Sequence, residues 1–159
     1  MRLLVDLLNQ ARARDPEDFQ AEFDCPVLVF EPFASSENSP TFQTVELLGG
    51  GPLGAAVVAM IRKREGSTDF PRMITLGRAA SNDIAVKVES ISKFHGYFVE
   101  VKGEMLWADA NSANGSTVDG VALEARQKTP VRSGSKLNFG EVEATYYDPP
   151  ALYEFLVSR

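Results

Sequence analysis

Apolar and polar positions change period twice along this chain. Leu3, Leu4, Leu7, Leu8 and Ala11 recur at three- and four-residue intervals, which predicts a helix over residues 2–14 with one apolar stripe. Arg12 and Arg14 sit near its end, where cations suit the helix dipole, and Asp15-Pro16 reads as the stop. A helix this short is marginal alone. Its stripe therefore packs on the domain's own surface, the favoured reading, or docks a partner or a second copy. Pro26 to Glu31 is a short apolar run rich in β-branched residues and predicts a strand. Phe33 to Thr41 is a loop of serine, asparagine and proline, and the alternating Phe42 to Leu47 is a hairpin partner for that strand. Gly49-Gly50-Gly51-Pro52 is the clearest break in the chain.

Beyond the break the period is that of strands. Ala56 to Lys63, Met73 to Leu76 and Ile84 to Val88 are apolar runs, with a polar loop from Glu65 to Pro71. Gly96 to Lys102 alternates, with Tyr97, Val99 and Val101 on one face and Phe98, Glu100 and Lys102 on the other. A turn at Lys102-Gly103-Glu104 leads into Met105-Leu106-Trp107, whose tryptophan is assigned to the core. Asp119-Gly120 is a two-residue hairpin signal of the kind that needs positive φ. Lys136 to Gly140 and Val142 to Tyr147 complete the series. Many short strands with closely spaced turns predict an all-β sandwich or barrel. The absence of βα alternation argues against a parallel nucleotide-binding sheet. After Pro149-Pro150, Leu152, Phe155 and Leu156 mark a short helix over 151–157. The expected organisation is an extension over 1–52, a helix plus a hairpin, followed by a β domain over 53–159.

Composition and charge narrow the function. A length of 159 residues suits one domain with an extension, and 44% hydrophobic residues can fill a core. No apolar run approaches the length that spans a bilayer. Asp6 interrupts the apolar start, so the first residues do not read as a signal peptide. One cysteine, Cys25, excludes an internal disulfide framework, and with one histidine it cannot build a zinc site of the usual kind. The expectation is a cytoplasmic protein without a metal. The whole net charge of −6 falls on residues 1–61, where Arg2, Arg12 and Arg14 face nine carboxylates. Residues 62–159 are balanced, so binding of nucleic acid through its phosphates is not expected. A local anion pocket needs only a few aimed donors.

Such donors fall at strand ends. Gly77-Arg78 closes one strand, Ser92-Lys93-Phe94-His95 precedes another, and Ser112-Ala113-Asn114-Gly115 lies between two more. The Arg78 fork matches phosphate bidentately, although alone it would read as a surface salt bridge, with Asp83 for example. Ser92 brings a hydroxyl and Lys93 a point charge. A Ser92–His95 hydrolase is rejected. The two lie three residues apart at a strand start, and no nucleophile-elbow glycines surround the serine.

The ordered set Gly-Arg, Ser-x-x-His and Asn-Gly resembles the forkhead-associated (FHA) domain, a phosphothreonine-binding β-sandwich, over Val57 to about Tyr147. The resemblance implies an all-β, two-sheet fold with short helices at either end. It implies phosphate binding by Arg78 and Ser92, with Lys93 a weaker contact where the family often has arginine or another polar residue. It gives Gly77, His95 and Gly115 structural roles, and assigns Asn114 to the main chain of the bound peptide, flanked by Ser112 and Ala113. Alanine at 113 departs from members with threonine there and removes one hydroxyl. Leu137-Asn138-Phe139-Gly140 matches a late structural motif of the family. The implied partner is a protein phosphorylated on threonine by a Ser/Thr kinase, bound without cofactor or catalysis. The rival is a scaffold of the same fold whose contacts ignore phosphate. A phosphorylated Thr41 or Thr44 in the chain's own Ala34 to Thr44 arm is a further candidate ligand, against the favoured reading of that arm as a plain connection.

Overall fold

A computed structural model describes residues 2–30, 56–64, 67 and 72–158. In chain order these form β1 (Arg2–Leu3), α1 (Leu4–Ala13), α2 (Pro16–Glu22), β2 (Val27–Phe30), β3 (Val57–Met60), β4 (Ile74–Gly77) and β5 (Ile84–Ala85). There follow β6 (Gly96–Val101), β7 (Glu104–Asp109), β8 (Ser116–Val118), β9 (Val121–Ala122), β10 (Thr129–Pro130), β11 (Lys136–Phe139), β12 (Val142–Tyr147) and α3 (Pro149–Val157). The strands make two sheets, ordered β1-β3-β2-β12-β11-β8-β9 and β10-β7-β6-β4-β5. Pairing is antiparallel except between β4 and β5. Leu28, Phe30, Phe98, Trp107, Leu137 and Phe139 anchor the core between them. Trp107 is fully buried against Phe98 and Phe139, as assigned from the sequence.

The helices cover the other side of the seven-stranded sheet. Leu4, Leu7 and Ala11 of α1 join Phe19 and Phe23 of α2, and Leu152 and Leu156 of α3, over Val27, Val29 and Val58. The apolar stripe of α1 is thus covered by its own chain. Pro16 does not end the helical region. It opens α2, in a first-turn position where its missing N–H costs nothing. Phe19 and Phe23 stack there at 4.7 Å. Pro149 and Pro150 likewise belong to the first turn of α3, whose N-cap Asp148 accepts from the Ala151 N–H at 2.9 Å.

The boundary expected near Leu53 is corrected by β2. Val27–Phe30 lies inside the seven-stranded sheet, with β3 on one side and β12 on the other. The hairpin partner expected over Phe42 to Leu47 lies outside the described residues. The continuous apolar run has a reason. Leu28 and Phe30 face the inter-sheet core while Val27 and Val29 face the helices, so every position is buried. The strand expected over Ile84 to Val88 pairs only at Ile84–Ala85, and Val86 and Val88 fill the core from the loop that follows. On β6 the core face is that of Phe98, and Tyr97, Val99 and Val101 face outward. The turn at Asp119-Gly120 takes φ of 50° and 82°, joining Val118 to its partner Val121 as the sequence predicts.

Candidate functional site

Three loops meet at one end of the sandwich. The Arg78 N–H donates to the Ser92 carbonyl at 2.9 Å and the Ala79 N–H to the Lys93 carbonyl at 3.1 Å, so the segment after β4 lies against the segment before β6. Gly77 permits this approach. A Cβ there would lie 2.3 Å from the Lys93 carbonyl oxygen and 2.8 Å from Asn82 Nδ2. The Asn82 amide fastens the crossing by donating to the carbonyls of Ala79 at 2.8 Å and Lys93 at 2.7 Å. The Arg78 and Lys93 side chains project from this junction into solvent. Neither makes an ion pair among the described residues.

Ser92 ties in the third loop. Its Oγ accepts from the Ala113 N–H at 2.9 Å, leaving the hydroxyl proton free to donate outward. His95 is fully buried beneath it. The Ser92 backbone N–H donates to His95 Nδ1 at 3.1 Å, and Nε2 lies 3.0 Å from the Gly115 carbonyl. These contacts select the neutral tautomer protonated on Nε2. Burial pushes the imidazole pKa below its ordinary value, against the opposing pull of the Gly115 carbonyl and the Asp109 carboxylate. A histidine used this way is no base for Ser92. Its Nδ1 takes the serine's backbone N–H, not its hydroxyl.

Asp109 shapes the loop from below. Its carboxylate accepts from the Ser112 N–H at 2.7 Å, from the Ser112 hydroxyl at 2.6 Å and from the Ser116 hydroxyl. Burial raises its pKa, but these hydrogen bonds and His95 outweigh it and hold the carboxyl below the usual range. Ser112 Oγ in turn accepts from the Gly115 N–H at 3.0 Å. Gly115 turns the chain with φ of 78°, a conformation costly for other residues. Asn114 is exposed, and its Nδ2 donates to the Ser90 carbonyl at 2.8 Å. That contact orients the amide and leaves Oδ1 to accept from a ligand.

The structure therefore brings Arg78, Ser92, Lys93, Ala113 and Asn114 together on one rim, above Gly77, His95 and Gly115. The Ser112 hydroxyl is turned inward to Asp109. The alternative partner for Arg78 also falls away. Asp83 is taken by Lys63 Nζ at 2.7 Å, by the Arg64 N–H at 2.8 Å, by the Thr75 N–H at 2.9 Å and by the Ser67 hydroxyl. Burial raises its pKa, and these bonds more than offset that and lower it. Sequence reasoning missed Asn82, Asp109 and Ser90 as supports. Asp109 three residues before Ser112 has the spacing of a side-chain-to-backbone turn, a local signal that could have flagged it. Ser90 meets Asn114 across the fold and leaves no such trace, and neither does the bond by which Asn82 reaches Lys93 in another loop.

The β-sandwich thus presents polar side chains from three loops at one end. Residues 74–140 match the sequence profile of the FHA domain. A structure from a study of phosphothreonine-dependent FHA domain interactions superposes with a TM-score of 0.50 at 16% identity, covering 77% of this chain and 95% of that one. The N-terminal FHA domain of S. cerevisiae Rad53p, in complex with a phosphothreonine peptide, gives 0.50 at 14% identity over 62% of this chain and 89% of that one. The FHA domain of an Arabidopsis thaliana hypothetical protein gives 0.51 at 19% identity over 78% and 86%. At these identities the likeness is one of fold. No curated protein matches the chain.

Proposed function

We propose that this protein is a phosphothreonine-binding module that reads the product of a Ser/Thr kinase. One observation carries the reading. Arg78 and Lys93 are exposed and free of ion pairs among the described residues, and they share with Ser92 a loop junction fastened by hydrogen bonds. Two unneutralised cations and a hydroxyl donor match a phosphate dianion. Asn114 Oδ1, set by Ser90, would accept from the peptide main chain beside it. The similar domain from Rad53p holds a phosphothreonine peptide, which supports the same ligand class here. The role is binding, with no cofactor and no catalysis, since His95 is committed to holding the loops. A cytoplasmic location is part of this reading, as the compartment where a kinase product would be met. Phosphorylated Thr41 or Thr44 would be an internal ligand for the same pocket, favoured by high effective concentration. Those residues lie outside the described ones. If the arm competes, phosphorylating the protein lowers its affinity for added phosphopeptide, and unchanged affinity removes that branch.

Calorimetry with matched phosphothreonine, phosphoserine and unphosphorylated peptides tests the main reading. Binding that requires phosphate and prefers threonine supports it. Equal binding of phosphorylated and plain peptide assigns the fold to a phosphate-independent scaffold instead.

A further inference from the structure

The outer face of the five-stranded sheet carries an apolar stripe that begins beside the proposed phosphate site and is bordered by Thr75, opposite Tyr97, and Glu104, opposite Val101. Phe94, one residue after Lys93, remains 40% exposed, and its ring stacks on Tyr97 with the planes 10° apart. Tyr97, Val99 and Val101 follow on the outward face of β6, and Val101 is 41% exposed. Leu106 pairs with Val99 across β7 and shares that face. The helix cluster sits on the opposite sheet, and no residue of the five-stranded sheet joins it among the described residues. An exposed aromatic ring lying parallel to a neighbour, centroids 6.5 Å apart, next to a proposed anion site is apolar contact area within reach of a bound ligand.

We propose that Phe94, Tyr97, Val99, Val101 and Leu106 form a second contact surface that holds apolar side chains of the same threonine-phosphorylated partner. The proposal rests on the phosphothreonine reading and extends it from the modified residue to the chemistry of its flanks. Position argues for this occupant. A ligand held at Ser92 and Lys93 already lies beside Phe94, so a weak apolar contact is made at high effective concentration. Size argues against a second copy. Five side chains fall far short of the roughly 20–30 residues a side of a stable interface. The stripe serves an interaction already secured elsewhere.

Length separates the two contacts. From Gly96 to Val101, β6 advances by about 17 Å at roughly 3.3 Å per residue. A peptide with short flanks reaches Phe94 but not Val101. Two phosphothreonine peptide pools test the surface, one with about three degenerate positions on each side and one with about twelve, a choice set by that rise. The native protein is expected to select leucine, isoleucine and phenylalanine at fixed distances from the phosphothreonine in the long pool. Val101→Glu should erase the distant selection and leave affinity for the short pool unchanged. Phe94→Ser should weaken apolar-flanked peptides on the order of tenfold, the scale of partly burying one aromatic ring, and spare serine-flanked ones. Arg78→Ala should release both pools and so reports on the phosphate contact separately. Phosphothreonine selection without apolar enrichment, or enrichment that survives both stripe variants, overturns the proposal with the phosphate reading intact. Self-association in sedimentation velocity that Phe94→Ser abolishes also overturns it, by assigning the stripe to a second copy. Retention of neither pool overturns the phosphothreonine reading and this proposal with it.

Discussion

At the scale of single residues, the proposed function divides the site into groups offered to the ligand and groups that hold them in place, and the two should respond differently to substitution. Arg78 is exposed and its side chain supports nothing else among the described residues, so Arg78→Ala should leave the fold intact. A hydrogen bond to a charged group contributes about 1.5–3 kcal/mol, so phosphopeptide affinity should fall roughly 10- to 150-fold by calorimetry. Ser92→Ala should do less to phosphate but should also loosen the Ala113 contact. Gly77→Ala is the reverse of Arg78→Ala. Its new methyl group meets the Lys93 backbone oxygen, which cannot rotate away. Thermal stability and binding should fall together, and a variant with native melting temperature would contradict the packing. His95 makes a claim about pH. Burial holds its folded pKa below the ordinary 6.5. The unfolded chain therefore takes up the proton first as pH falls, so the stabilisation is complete above about pH 6.5 and declines below it. Melting temperature should drop between pH 7 and 5.5, and His95→Ala should be less stable, by ~3 kcal/mol from a lost buried ring and its bonds, with that slope reduced. An unchanged slope would mean that His95 does not report the unfolding proton.

At the scale of elements, the strand signals were legible wherever burial is one-sided or turn chemistry is explicit. Asp119-Gly120 and Lys102-Gly103 gave their hairpins because both central residues take positive φ, which few sequences tolerate. The loops of the site were legible through the order of Gly77-Arg78, Ser92, His95 and Asn114, a pattern of residues and not a pattern of period. What escaped was long-range. Nothing local says that Val27–Phe30 inserts between β3 and β12, since a strand buried on both faces carries no alternation to show its place. Pro16 was read as a stop because the same residue both ends one helix and starts the next. Deleting residues 1–52 should therefore remove the middle of a sheet as well as α1 and α2. The shortened chain should lack dispersed NMR resonances and a β-type circular dichroism spectrum. A well-dispersed native spectrum would show that the sheet closes without β2. The Asp83 network belongs to this scale too, because it joins the segment after β3 to β4 and to the loop before β5. Its lowered carboxyl pKa contributes stability above the unfolded value and loses it as pH falls through the acid range. Asp83→Asn should flatten the acid limb of a stability profile below about pH 4, and a limb as steep as the native one would assign acid lability elsewhere.

For the whole molecule, the architecture separates support from recognition. The helices and the seven-stranded sheet bury one side, while the loops of Arg78, Ser92 and Asn114 gather at one end of the sandwich on buried struts from His95, Asp109 and Asn82. Rigid loops on a closed core lose little freedom on binding, so a small number of charge-assisted contacts can be selective for a single phosphate. That selectivity is the central claim. Its most direct measurement is a calorimetric titration of the intact protein with one peptide in two forms, phosphorylated and unphosphorylated on a single threonine, repeated with the Arg78→Ala variant. Binding of the phosphorylated form alone, weakened roughly 10- to 150-fold by the variant, is the expected result. Equal affinity for the two forms, or phosphate-dependent binding that Arg78→Ala leaves unchanged, would contradict it.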